Sequence, residues 1–271
     1  MGLRVNTNLS ALNTSRHLNR SSKALQVSLE RLSSGLRINR AADDAAGLAI
    51  AESFRSTVIG AQVAQRNVQD GINLVQTADG ALSETTNILQ RIRELTVQAA
   101  NGTMSDTNRA ALDNEVQLLL EQIDDIAQDT EFNGIYMLSA SQTVTLQAGA
   151  LTSQTMLVAV DGATTSDLGV DSLAISTMDL AAAAISTIDV AIQSVNTLRG
   201  SLGAYQNRLE FTINTLARQD ENSAASESAI RDANIASESI VFTRNQILVA
   251  AGTSMLAQAN IVPQTALQLL G

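Results

Sequence analysis

The sequence predicts a mainly α protein: a long antiparallel, coiled-coil-like helical bundle formed by its N- and C-terminal arms, with a small β-hairpin or loop insert at the far end. Three observations point there. Proline occurs once in 271 residues, so the strongest helix breaker is all but absent. Hydrophobic residues make up 45% of the chain but aromatics only 2%, with no Trp, whereas a globular core of this size usually draws on several large rings. Aliphatic residues also recur at three- and four-residue spacing over long stretches, the period of a helix face.

Four stretches carry that period clearly. Leu18, Leu25, Leu29, Leu32 and Leu36 share one face near the start. Val68, Ile72, Val75, Leu82, Leu89 and Ile92 come next, with Ala78 filling a gap. Leu112, Val116, Leu119, Ile123 and Ile126 step alternately by four and three. Ile185, Ile188, Ile192, Val195, Leu198, Leu202, Tyr205, Leu209, Ile213 and Leu216 then run for about nine turns. A weaker run extends from Ile230 to Ile261 through Ile240, Ile247 and Ala251. These are coiled-coil seams in character, and packing is the expected role of nearly every residue in them.

Breaks separate the stretches. Ala99-Ala100-Asn101-Gly102-Thr103 ends one helix, and Ser105-Asp106-Thr107 offers caps for the next. Asn133-Gly134 is expected to close the third helix. Thr143-Val144-Thr145-Leu146 and Thr155-Met156-Leu157-Val158-Ala159-Val160 are β-like, with breaks at Gly149, Gly162 and Gly169. Helical arms flank this insert, so the chain is expected to run out and back and bring its ends together.

The net charge of −10 is unevenly spread. Between Arg109 and Arg199 there are twelve carboxylates and no Lys or Arg, while the first forty residues hold seven cations against Glu30 alone. This predicts an acidic, solvated middle and ends built to meet something else. The basic end has no aromatic or base-reading pattern, which argues against nucleic-acid binding. No apolar run approaches the roughly 18 residues of a membrane span, so no membrane insertion is expected. Met1-Gly2-Leu3-Arg4-Val5-Asn6 lacks the apolar core of a signal peptide, which predicts a cytoplasmic chain or export without a cleaved signal.

The chemistry of a catalyst is not legible. Without Cys there is no disulfide framework, thiolate metal site or Cys nucleophile, and one histidine, His17, leaves little for a triad or metal site. His17, beside Arg16 and Arg20, reads as a polar interface residue. Phosphate-binding glycine loops are missing; Gly200-Ser201-Leu202-Gly203 reads as a close-packing or bend position inside a helix. Lys23 sits on an Arg-rich face. Asp43-Asp44 reads as a pair of first-turn charges at a helix N-terminus, and Asp124-Asp125, being adjacent, point to different sides of a helix. Neither an enzyme nor a cofactor is expected.

Residues 1–40 and 230–271 are helical in pattern but short of core-forming residues. An exposed Leu or Ile is worth about 1.5–3 kcal/mol when buried. Both ends are therefore expected to be loose in the single chain and to fold against each other, and against neighbouring copies, on assembly.

Two segments go beyond generic helix. Ser28-Leu29-Glu30-Arg31-Leu32-Ser33-Ser34-Gly35-Leu36-Arg37-Ile38-Asn39, running into Ala41-Ala42-Asp43-Asp44-Ala45-Ala46-Gly47-Leu48-Ala49-Ile50, resembles the N-terminal signature of bacterial flagellin. Asn245-Gln246-Ile247-Leu248, Ala251-Gly252-Thr253-Ser254-Met255-Leu256-Ala257-Gln258-Ala259-Asn260, Val262-Pro263-Gln264 and Leu269-Leu270 are similar to its closing segment. The stretch Leu89–Ala99 and Phe132-Asn133-Gly134 extend the likeness over both arms; roughly 141–179 is unmatched. The resemblance implies a short flagellin without large outer domains. It implies a terminal inner-tube domain from 1–42 and 228–271, a helical rod domain from 43–140 and 180–227, and 141–179 as the insert of that rod.

The resemblance also implies partners. The chain would form a homo-polymer, the extracellular flagellar filament, after export by the flagellar secretion system, with the export apparatus, an export chaperone and the filament cap as helpers. Leu18, Leu25, Leu29, Leu32, Leu36, Ile240, Ile247, Ala251, Met255 and Leu256 are the expected assembly seams. Gln90, Arg91, Arg93, Glu94, Leu95 and Glu115 match positions through which receptor-activating flagellins are recognised by Toll-like receptor 5. The Ser/Thr-rich insert could carry O-linked glycans. Two other readings compete: a hook–filament junction protein, and a signalling coiled-coil hairpin, which would need a helical tip where this chain has glycine-broken β-like sequence.

Overall fold

A computed structural model of the chain describes residues 7–268, with side chains through Ile261. The opening Met1–Asn6, the side chains of Val262-Pro263-Gln264 and the closing Leu269-Leu270 lie outside the described residues. In chain order the elements are α1 (Leu9–Ser34), α2 (Ala45–Ala99), α3 (Asp106–Asp129), β1 (Glu131–Phe132), β2 (Ile135–Tyr136), β3 (Gln142–Gln147), β4 (Thr155–Val160), α4 (Met178–Arg231) and α5 (Ile235–Gln268). The mainly helical class with a small β insert is as expected. Two compact units divide the chain: a central unit, Thr57–Glu221, and a terminal unit of the residues up to Ser56 with those from Asn222 onward.

In the central unit, α2 and α4 run antiparallel, linked by Arg93–Asp189 at 2.6 Å, Arg199–Asp79 at 2.8 Å and Gln62–Asp220 at 3.3 Å. The buried residues of α4 step by three and four through Ala181, Ala184, Ile188, Ala191 and Val195, then by seven through Leu202, Leu209 and Leu216. Ile185 and Ile192, expected in that seam, are only half-buried, because alanines take the innermost places and let the backbones approach. By length and composition α4 could cross a membrane, a run the sequence reading did not expect; Ala181, Ala184, Ile188, Ala191 and Val195 of it turn into the protein core, while Leu180 and Val190 stand exposed. Helix α2 contributes Val68, Ile72, Val75, Ala78, Leu82, Leu89 and Ile92, the whole expected face. On α3 the buried apolar residues are Val116, Leu120, Ile123 and Ala127, with Leu112, Leu119 and Ile126 at the margin.

Asn133-Gly134 does not close the third helix. That helix ends at Asp129, and the pair instead turns the β1–β2 hairpin with φ of 52° and 77°. Two successive positive φ values match the twist of a two-residue hairpin, a geometry Asn-Gly accepts readily. Strands β3 and β4 pair antiparallel from Gln142↔Val160 to Gln147↔Thr155. On β4, Met156, Val158 and Val160 face the core while Leu157 faces solvent. The hairpin lies against α2 where glycines make room: a Cβ at Gly71 would stand 2.3 Å from a Leu146 methyl, and one at Gly60 2.6 Å from the Ala150 Cβ.

In the terminal unit α1 and α5 pair antiparallel. Asn8 Nδ2 donates to the Ala259 carbonyl at 2.8 Å, and Arg31 meets Glu238 at 3.8 Å. Among the described residues, Ile38 and Ala51 are the only apolar side chains fully buried in this unit. Helix α1 starts on an Asn8 cap and ends on Gly35 at φ 74°, so Leu36 lies beyond the helix in a bridge to Asp232. It therefore leaves the expected stripe, and Leu29 points to solvent. The two ends, expected to be loose, are thus drawn as a formed pair in the single chain. Asp44 caps α2 by accepting the Gly47 amide at 2.9 Å. Asp43 is not in the first helical turn. Its carboxylate accepts the Arg40 and Asn39 amides, and these bonds hold it below the usual carboxylate pKa. Gly200 and Gly203 meet nothing within 4 Å, so close packing does not explain them.

Leu89→Ala should destabilise the chain by about 2–5 kcal/mol in denaturant unfolding, since it empties a fully buried site. Leu29→Ala, at a side chain 57% exposed, should change the free chain by less than about 0.5 kcal/mol. Because the folded Asp43 pKa lies below its unfolded value, its contribution is present above the unfolded pKa and is lost as pH falls through the folded one. An NMR titration should place its midpoint below that of an ordinary aspartate, and Asp43→Asn should remove the matching shifts of the Asn39 and Arg40 amides.

Candidate functional site

Two surfaces stand out, one in each unit. In the terminal unit, α5 carries apolar residues on two faces. The inner face, with Asn245, Val249, Gly252, Leu256 and Ala259, turns toward α1, on which Leu18, Leu25 and Leu32 are half-buried. A Cβ at Gly252 would stand 3.1 Å from a Leu18 methyl, so the glycine sets how closely the helices approach. The outer face holds Ile240 and Met255, each 62% exposed, with Ile247, Leu248 and Ile261 also open. Part of it is a shallow, open apolar patch made by Ile240, Thr243, Arg244, Ile247 and Leu248 of this one helix. The run read through Ile240, Ile247 and Ala251 is therefore the outward face, not the seam against α1. Periodicity identifies a stripe but not the side on which its partner stands.

In the central unit a polar ridge runs along α2 and α3. Gln90, Arg91, Arg93, Glu94 and Glu115 are all exposed. Arg91 reaches Glu94 and Glu115, both at 3.0 Å, and Arg93 reaches Asp189 on α4. These bonds, Glu115 first and then Glu94, raise the Arg91 pKa further. Surface pairs of this kind are worth at most about 1 kcal/mol each, so their effect is to fix the ridge's pattern rather than to hold the fold. Leu95 departs from the expectation. It is 2% exposed and packs in the core, as the stripe residue three positions beyond Ile92, so it cannot touch a partner directly.

Other polar residues with structural work escaped the sequence reading. Arg109 is buried and donates to the Ala99 carbonyl at 2.8 Å and the Asn101 carbonyl at 2.9 Å, while pairing with Asp106. It thereby satisfies carbonyls at the C-terminal end of α2. Asp113 accepts the Ile175 amide at 2.7 Å, and Asp124 accepts both the amide and the hydroxyl of Thr165 at 2.8 Å. Part of the acidic middle therefore anchors the loop after β4 rather than standing solvated. No local spacing announces such long-range partners. Among the described residues no group of His, Cys, Asp or Glu could hold a metal ion.

Comparison with known proteins gives this geometry a context. The bacterial flagellin N-terminal helical region matches residues 5–143, and the C-terminal helical region matches 185–270. Flagellin of Halalkalibacterium halodurans is 47% identical over 272 residues, covering 98% of this chain and 99% of its own. Flagellin of Bacillus subtilis is 42% identical over 303 residues, covering 99% and 100%. A solved structure from Vibrio parahaemolyticus, provisionally named as a flagellar hook-associated protein, has a TM-score of 0.60 at 12% identity, covering 70% of this chain and all of its own; it shares the fold alone. With both helical regions matched and close relatives aligned from end to end, this chain belongs to the bacterial flagellin family, a short form without large outer domains that polymerises with its own copies as the structural subunit of the flagellar filament for motility.

Proposed function

We propose that the terminal unit forms the filament's inner tube and that the central helices form the rod around it, with the β3–β4 insert as part of that rod. The single observation that carries this reading is the outer face of α5, where Ile240, Ile247, Leu248 and Met255 stand open on a helix whose other side is already used by α1. Covering each such residue is worth about 1.5–3 kcal/mol. Copies of the same α1–α5 pair offer a matching surface, and a contact between unlike faces repeats without closing, which makes a helical polymer. Leu18, Leu25, Leu32 and Leu256 would hold the pair, while Leu29, Leu36, Ile240, Ile247, Ala251 and Met255 would meet neighbours. Export without a cleaved signal through the flagellar secretion system, an export chaperone and a filament cap belong to the same proposal.

Recognition by Toll-like receptor 5 forms its second part. The ridge of Gln90, Arg91, Arg93, Glu94 and Glu115 is exposed and has its charges fixed by mutual pairing, which suits a protein partner that reads a rigid pattern. Leu95 takes a supporting place beneath it.

Deleting residues 240–271 should leave a soluble chain with its central helices intact by circular dichroism, unable to polymerise on seeds; normal filaments from it would refute the inner-tube assignment. Arg91→Ala combined with Glu94→Ala should abolish signalling by the monomer in a receptor-reporter cell, and an unchanged response would remove the ridge from consideration.

A further inference from the structure

Within the central unit several cations and several anions stand without a partner among the described residues. Arg91, Arg93, Arg109 and Arg199 are engaged in ion pairs, whereas the side chains of Arg66, Arg208 and Arg218 have no partner among the described residues. On α3 the carboxylates of Glu121, Asp125 and Asp129 likewise have none.

The helices' mutual contacts fix where these groups stand. Gln62–Asp220, Asp79–Arg199 and Arg93–Asp189 set α4 antiparallel to α2. Arg91–Glu115 and the bond from Arg109 to the Ala99 carbonyl set α3 antiparallel to α2 as well. Helices α3 and α4 therefore run in the same direction. By those pairings Leu118 stands opposite roughly residue 88 of α2 and Phe211 opposite roughly residue 71, a separation of about 26 Å at 1.5 Å per residue. By the same pairings Asp125 stands opposite roughly residue 81 of α2 and Arg218 opposite roughly residue 64, again about 26 Å apart along the bundle, so this pair cannot meet within one chain.

The two faces match in shape and register as well as charge. Phe211 is 72% exposed and Leu118 66%, the highest values for large apolar side chains among the described residues. Phe211 lies in a groove of about 650 Å³ lined by Ala148, Gln154, Arg208, Phe211, Thr215 and Gln219. Three residues before it stands Arg208, four after it Thr215 and seven after it Arg218. The corresponding places around Leu118 are Glu115, Gln122 and Asp125. Residues at these spacings share one face of a helix. Laid side by side in the same direction, the helices set Leu118 on Phe211, Gln122 beside Thr215 and Asp125 against Arg218, while Glu115, already bound to Arg91, meets Arg208.

We propose that the α4 groove around Phe211 receives the Leu118 face of α3 from a second copy displaced lengthwise along the bundle. The contact joins unlike faces, so each copy keeps one of each free and the association propagates. It deepens the self-polymerisation of the chain by naming a contact outside the terminal helices, and it rests on that polymerisation.

Charge exchange tests it on the full-length chain. Asp125→Arg alone and Arg218→Asp alone should each raise the critical concentration for seeded polymerisation by about fivefold or more, as expected for a close pair made repulsive. The chain carrying both changes should return to within about twofold of the original. Circular dichroism and thermal melts confirm that each variant is folded. Because the chain has no Cys, Gln122→Cys combined with Thr215→Cys gives an independent readout. A short bismaleimide should produce a ladder of covalent oligomers from filaments and none from monomer. Unchanged polymerisation by both charge variants, a double variant no better than the singles, or filaments that give no ladder would overturn the contact and leave the family's filament assembly untouched. An original chain that fails to polymerise on seeds would instead overturn the assembly on which it rests.

Discussion

An α-helix with two apolar faces needs two partners, and α5 has one. Its inner face is covered by α1 through a narrow seam of Ser28, Asn245 and Gly252, where small groups let the helices close together. Small residues remove little apolar area from water, and the unit's fully buried apolar side chains among the described residues are Ile38 and Ala51 alone. Ordering more than fifty helical residues costs on the order of 1–2 kcal/mol each. That seam offsets little of the cost by itself. The uncovered face of α5 leaves further apolar area open to water, and in the assembly proposed above contact with further copies covers it.

The central unit is built on the opposite plan. Its seam repeats Ile188, Val195, Leu202, Leu209 and Leu216 at seven-residue intervals against the α2 face, and the insert closes it with Met156, Val158 and Val160. Polar groups complete the joints: Arg109 at the end of α2, Asp113 and Asp124 on the loop after β4. A unit with this much buried aliphatic surface is stable as a single chain and presents a fixed outer pattern of charge. One chain thus combines a well-filled central core with ends that, in the proposed assembly, are completed by association.

The central seams were legible in the sequence because the α2 and α4 stripes keep their three- and four-residue period over many turns, so period and burial coincide even with Val97, Val190 and Phe211 exposed on other sides. Helix α5 was less legible: with Ile, Val, Leu and Ala on more than one side, its period marks a stripe through Ile240 and Ile247 but does not say which side meets α1. Leu29 and Leu36 leave the shared face with Leu18, Leu25 and Leu32 for another reason, since Gly35 ends α1 in a left-handed turn and Ser28, not Leu29, is the buried residue of that helix. Asn133-Gly134 carries the same local preference at a helix end and in a hairpin, and only the pairing of Phe132 with Ile135 decides between them. Leu95 followed from matching motifs rather than from the helix period, which places it inside. The ridge residues around it, by contrast, were legible as exposed because they fall between the stripe positions Leu89 and Ile92 and their successors.

Burial of apolar surface has a thermodynamic mark that charge pairing and helix formation alone do not share, a large negative heat-capacity change. The heat of seeded polymerisation, measured by calorimetry at several temperatures between about 10 and 40 °C, isolates it. If the open face of α5 drives association, the enthalpy falls steeply as temperature rises. A heat that stays constant across the range would contradict the account.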